Sequence, residues 1–171
     1  MTTPIDPRTR IGHVHLKVAD LERSLAFYCG VLGFTLTQRY GRGAAFVSAG
    51  GYHHHIGLNT WESLDGSPPA PGTTGLYHVA ILLPDRAALA ATVRRVLHAK
   101  IPLEGAADHG VSEAVYLRDP DGNGLELYRD RAEADWPRTA EGELAMITRP
   151  LDLAALLAEA VPEGMAERAG G

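Results

Sequence analysis

His13 and His78 open the same short phrase, a histidine followed by valine, with an aspartate seven residues after each histidine at Asp20 and Asp85. A duplicated unit that keeps an ionisable residue places matching side chains at equivalent points of two related folds. A third candidate, Glu126, lies between Leu125 and Leu127, where a carboxylate turned inward from a strand is costly unless it is paired. Two imidazoles and one carboxylate form a facial set on a divalent ion and leave about three of six octahedral positions open, the arrangement an oxygen-activating Fe(II) needs. One histidine on a half-buried strand is more often simply hydrogen-bonded. Its duplication, together with the glutamate, points to metal binding.

The elements that must position these residues follow from periodicity. Ile11, His13, His15 and Lys17 alternate with Gly12, Val14, Leu16 and Val18, which predicts a strand with the histidines on one face and aliphatics on the other. Asp20 is a natural N-cap, and Leu21, Leu25, Tyr28 and Leu32 recur at helical spacing until Gly33 closes the helix. Phe34 to Tyr40, Ala44 to Ser48 and Tyr52 to Asn59 read as three strands separated by glycines, so residues 8–62 form one β-α-β-β-β module. Prolines and glycines make 63–74 a linker.

Residues 75–130 repeat the pattern. Leu76 to Leu83 predicts a strand, Asp85 caps a helix carrying Leu89, Val93, Val96 and Leu97, and strands follow near Leu103, at Ala114 to Arg118 and at Leu125 to Tyr128. Asp119-Pro120-Asp121-Gly122-Asn123-Gly124 is a dense turn signal between the last two. The expected fold class is therefore α+β, with paired βαβββ modules making one domain over 8–130. Residues 131–171 form an extension with a Trp136-Pro137 break and a short helix at Leu151 to Ala160, whose Leu153, Leu156, Leu157 and Ala160 must cover either the domain or a second copy of the chain.

Bulk properties narrow the classes. The net charge of -5, with both signs mixed along the chain, offers no basic stripe for nucleic acid. The single cysteine, Cys29, cannot staple the fold and fits a reducing compartment. No apolar run approaches the roughly 18 residues that span a bilayer, and the first ten residues lack an apolar signal core, so a cytoplasmic protein without membrane partners is expected.

His13-Val14-His15-Leu16-Lys17-Val18-Ala19-Asp20-Leu21, with Ser24, Phe27-Tyr28 and Leu32-Gly33-Phe34, and then Asp119 to Leu127, resemble the vicinal oxygen chelate superfamily. That superfamily is built from paired βαβββ modules and includes glyoxalases, antibiotic-resistance proteins and extradiol dioxygenases. The more specific resemblance is to extradiol dioxygenases of the catechol 2,3-dioxygenase type. It implies metal ligands at His13, His78 and Glu126. It also implies a catalytic histidine in the run Tyr52-His53-His54-His55, with His54 the best alignment and His55 next, a further histidine at His109 before Gly110, and a tyrosine at Tyr116, ten residues before the glutamate. Strand alternation would put His53 and His55 on one face and His54 on the other.

The resemblance implies Fe(II), or alternatively Mn(II), O2 and a small aromatic diol. His54, able to exchange a proton near neutral pH, would act as base and then acid, and His109 and Tyr116 would hydrogen-bond the substrate oxygens. Relatives of this type usually carry four modules with the metal in one of two domains, whereas this chain has two. Its tail, through Asp135-Trp136-Pro137-Arg138 and Pro150-Leu151-Asp152-Leu153, resembles the connector between domains in one bacterial subgroup. A homodimer would replace the missing half, with the tail helix as the element to mediate it. Two alternatives stand beside ring cleavage. One is a glyoxalase-type isomerase or lyase using Ni(II) or Zn(II), which normally wants a further carboxylate that 52–59 lacks. The other is a protein that sequesters a drug without turnover.

Overall fold

Strand β1 (Val14–Lys17) is shorter than its alternation suggested, so His13 stands just ahead of it. The computed structural model describes residues 3–159 and divides into two units, Met1–Ser67 and Pro68–Gly171.

In the first unit β1 is followed by α1 (Leu21–Leu25), with the Asp20 side chain accepting from the Arg23 N–H at 3.0 Å. The expected single helix to Gly33 is not what forms. After α1 the chain widens into a π-helical turn, Ala26–Val31, in which Leu32 N–H donates to the Phe27 carbonyl at 3.0 Å. Neighbouring Phe27 and Tyr28 are both buried, packed edge to face, and a widened turn is what lets consecutive aromatics share the core side. Strands β2 (Thr35–Tyr40), β3 (Ala44–Ser48) and β4 (Ile56–Asn59) complete a sheet of order β1-β4-β3-β2, parallel between β1 and β4. Leu16, Val18, Val47, Ile56 and Leu58 form its buried side.

In the second unit β5 (Val79–Leu82) precedes α2 (Arg86–His98), whose cap Asp85 accepts from the Ala88 N–H at 2.8 Å. Leu89, Val93 and Val96 of α2 are fully buried. Strands β6 (Leu103–Asp108), β7 (Ser112–Arg118) and β8 (Gly124–Asp130), with β9 (Arg149–Pro150) from the tail, give the order β5-β8-β7-β6-β9. The turn between β7 and β8 is organised by the Asp119 carboxylate, which accepts from the backbone of Asp121 and Asn123 and from the Asn123 side chain, all within 2.9 Å.

The tail adds β9 (Arg149–Pro150) to the free edge of β6 and then forms α3 (Leu153–Ala158). The helix begins later than expected because Asp152 caps it, and Ala160 lies outside the described residues. Fully buried Leu156 packs in its own unit, where Arg94 of α2 donates to the Leu157 carbonyl at 2.7 Å. The helix expected to mediate association is thus seated on α2. Among the described residues no helix is long and apolar enough to cross a membrane.

Candidate metal and proton-transfer site

In β8 the period of two sends Leu125 and Leu127 into the core, at 1 % and 0 % exposure, and turns Glu126 to the opposite face. Tyr116 stands directly across from Glu126 in the antiparallel β7–β8 pair, between fully buried Val115 and Leu117. Parallel β5 flanks β8 on its other side, with Ala80 beside Glu126, which brings the preceding His78 to the same carboxylate. Four of the expected site residues therefore meet within this unit. His78 Nε2 lies 2.9 Å from Glu126 Oε2. The Tyr116 hydroxyl lies 3.3 Å from Glu126 Oε1 and 2.7 Å from His109 Nε2, so its one proton can serve either neighbour. Burial, then the charge of Glu126 and the hydrogen bond to it, push the Tyr116 phenol up to about 12, so it is protonated at neutral pH.

The remaining candidates lie in the first unit. The His13 and His54 rings are 4.4 Å apart, and Phe46 of β3 packs on His54 at 4.9 Å. Burial first, then the neighbouring imidazoles beginning with His13, lowers the His54 pKa below the ordinary histidine value. The expected strand alternation through His53, His54 and His55 does not occur. Gly50, at φ 66°, opens a turn that runs to His55, and β4 starts only at Ile56. Within that turn His53 Nδ1 is 2.7 Å from His54 Nδ1, while His55 Nδ1 is engaged by the Ser48 hydroxyl at 2.9 Å and the Ala49 N–H at 3.3 Å. His55 is committed to the turn, which leaves His54 as the imidazole beside His13.

His15 follows two residues after His13. It lies over Gly57, where a Cβ would come within 2.9 Å of its ring, and against Phe46 and Trp61 at 5.9 and 5.4 Å. Phe46 and Trp61 were not singled out from the sequence, because a lone aromatic in or just after a strand carries no motif.

The spacing of the donor atoms suits a metal ion. Two ligands about 2.1 Å from one ion, at right angles, stand about 3 Å apart; the His78–Glu126 separation of 2.9 Å suits adjacent positions on one ion. Within either unit, among the described residues, no three histidine, cysteine, aspartate or glutamate side chains gather to hold an ion. His78 and Glu126 are therefore the pair the second unit offers.

Gly124 keeps that pair together. A Cβ there would lie 2.2 Å from the Tyr77 carbonyl oxygen and 3.2 Å from His78 Cβ, and backbone cannot swing aside as a flexible side chain can. Gly124→Ala is expected to cost about 3 kcal/mol, the upper part of the overpacking range, and to weaken metal binding by moving His78 off Glu126. Thermal unfolding and Fe(II) titration check both; a variant as stable and avid as the parent would show that the close approach is not required.

The glyoxalase/bleomycin resistance protein/dioxygenase superfamily model matches residues 10–127. A catechol-2,3-dioxygenase of Bacillus subtilis (strain 168) is 42% identical over 166 residues, covering 94% of this chain and 55% of that protein. Biphenyl-2,3-diol 1,2-dioxygenase 2 of Rhodococcus globerulus is 28% identical, covering 71% of this chain and 63% of its own length, so the chain spans little more than half the length of these dioxygenases. A probable lactoylglutathione lyase of Synechocystis sp. is 27% identical and is covered over 97% of its length. Among solved structures, a glyoxalase/dioxygenase from Nostoc punctiforme superposes with a TM-score of 0.61 at 23% identity, over 77% of this chain and 99% of that one, a likeness of fold. With the family model spanning most of the chain and its paired modules present, the chain belongs to the glyoxalase/bleomycin resistance protein/dioxygenase superfamily.

Proposed function

We propose that the chain is a metal-dependent, extradiol-type ring-cleaving dioxygenase for a catechol-like small aromatic, with Fe(II) as its ion. The observation that carries this reading is the continuous run His78, Glu126, Tyr116, His109, in which a potential ligand pair is joined to a protonated phenol and an imidazole. His78 and Glu126, with His13, are the proposed ligands. Bound there, the ion would supply Lewis acidity and one-electron redox chemistry toward a catechol and O2. The protein side chains manage the protons. His54, beside His13 and not itself a proposed ligand, takes a proton from a substrate hydroxyl and later returns it. Tyr116, backed by His109, hydrogen-bonds a substrate oxygen and holds the ring in register.

The similarity to the Bacillus subtilis catechol-2,3-dioxygenase supports the reaction class. A glyoxalase-type isomerase using Ni(II) or Zn(II) is the second reading, favoured by the near-complete coverage of the lactoylglutathione lyases, 97% and 94% of their lengths. Against it, residues 52–59 hold no carboxylate to serve as further ligand and base. Protein purified without oxygen is expected to hold iron, to consume one O2 per catechol and to turn catechol solutions yellow. Removing the metal with a chelator should abolish uptake, and Fe(II) should restore it. No oxygen uptake by the Fe(II)-loaded chain across a panel of catechols overturns the proposal; nickel or zinc with isomerase activity establishes the second reading. Tight aromatic binding without any metal establishes a sequestering protein.

A further inference from the structure

His109 sits in the turn between β6 and β7, and the C-terminal extension wraps that turn. Ile147 N–H donates to the His109 carbonyl at 3.1 Å, and the Ile147 carbonyl lies 3.1 Å from His109 Nδ1, with the Thr148 hydroxyl 3.3 Å from the same nitrogen. Just beyond, Arg149 and Pro150 pair with Asp108 and Ala107 as β9. The approach is close because residue 110 is a glycine at φ 76°. A Cβ there would stand 2.8 Å from Pro137 Cγ and 3.2 Å from Ile147 Cγ1.

A carbonyl oxygen only accepts, so the bond to Ile147 requires the proton on Nδ1. In a neutral imidazole the other nitrogen then has only a lone pair. That nitrogen, Nε2, faces the Tyr116 hydroxyl at 2.7 Å, and the single hydroxyl proton goes to it in preference to Glu126 Oε1 at 3.3 Å. We propose that the C-terminal segment is a positioning element of the site: the Ile147 carbonyl holds His109 in its Nδ1–H tautomer, so that Nε2 is a proton acceptor toward Tyr116. The Tyr116 oxygen is thereby turned to accept a hydrogen bond from a substrate hydroxyl, and Glu126 keeps its oxygens for other partners. This chemical consequence rests on the ring-cleavage reading, whereas the tautomer does not.

The test is a long-range 1H–15N correlation spectrum of the full chain labelled in its histidine rings, in alkaline solution. The His109 signals are assigned by their loss in His109→Gln. His109 is expected to show its proton on Nδ1, and to keep it there in Ile147→Ala, because the contact is made by the backbone. Gly110→Ala, which must displace Pro137 and Ile147, is expected to move the proton to Nε2 and to lower kcat more than it changes KM. A parent chain with the proton on Nε2, or an Ile147→Ala chain that loses the Nδ1–H form while folded, overturns the proposal. An Nδ1–H ring in a protein that consumes no O2 with catechols would sustain this assignment and remove ring cleavage.

Discussion

Glu126→Gln is expected to lower Fe(II) affinity by at least about 100-fold and to abolish oxygen uptake with catechols, since loss of even an outer partner of a metal ligand typically costs about 10–100-fold. The substitution keeps side-chain volume and removes the charge. The carboxylate is only 12% exposed and has two neighbours, His78 Nε2 at 2.9 Å and the Tyr116 hydroxyl at 3.3 Å. A neutral amide in its place retains one acceptor oxygen, so the fold should tolerate it and the melting temperature should shift by no more than a surface substitution would. Binding and stability should therefore separate, which calorimetry for Fe(II) and thermal unfolding can show on the same preparation. A sequestering protein behaves differently, because its affinity for an aromatic ligand in metal-free buffer is unchanged by Glu126→Gln. An isomerase also loses activity, but it loses it with nickel or zinc bound and without any oxygen requirement in the parent. A glutamine variant that binds Fe(II) and consumes O2 like the parent would remove Glu126 from the ligand set.

How much of this was legible in the residues depends on the kind of signal each one leaves. Helix α2 was readable because a capping aspartate precedes an apolar repeat at helical spacing, and β3 because a short apolar run lies between glycines. The Phe27–Tyr28 π-helical turn was not, since an inserted helical residue changes which face is buried without changing composition. Tyr52 to His55 misled for a related reason. Polar residues before an apolar strand read as its continuation, and only the positive φ at Gly50 shows that the chain is still turning. At the site, Glu126 was legible because a carboxylate sits between apolar residues at a strand's period, whereas Tyr116 came only from the resemblance, and the strand register places the two opposite each other. The Ile147 contact could not be read at all, because a backbone carbonyl is the same in every residue type. Its only trace in the sequence is Gly110, a glycine required by close approach of the tail.

A large loss of stability is expected at Glu113. Its side chain, 6% exposed, accepts from Arg86 Nε of α2 and Arg129 Nε of β8, each at 2.9 Å, and from Arg131 Nη2 at 3.2 Å. Arg131 also holds Asp108 at 2.8 Å, next to His109, and its buried Nε has no hydrogen-bond partner among the described residues. One carboxylate thus balances three guanidinium groups that are 17–28% exposed. Removing one partner of a buried ion pair costs about 3–5 kcal/mol, because the charges left behind are uncompensated. Arg86 retains Glu159 and Arg131 retains Asp108, so Glu113→Ala is expected near the lower end, about 3 kcal/mol. In the Glu113→Ala, Arg129→Leu double variant the penalty should be smaller than the sum of the single losses, which a double-mutant cycle measures directly. The acid limb of stability should report the same network. Burial works against ionised Asp108, but the Gly110 N–H and the Arg131 guanidinium outweigh it and hold its pKa below the ordinary value. Its contribution is complete above the unfolded carboxylate value of about 3.9 and fades as pH falls through the lower folded value. If Glu113→Ala unfolds at the parent's denaturant midpoint, the three arginines are sufficiently solvated to stand alone, and Glu113 does not anchor the turn that carries His109.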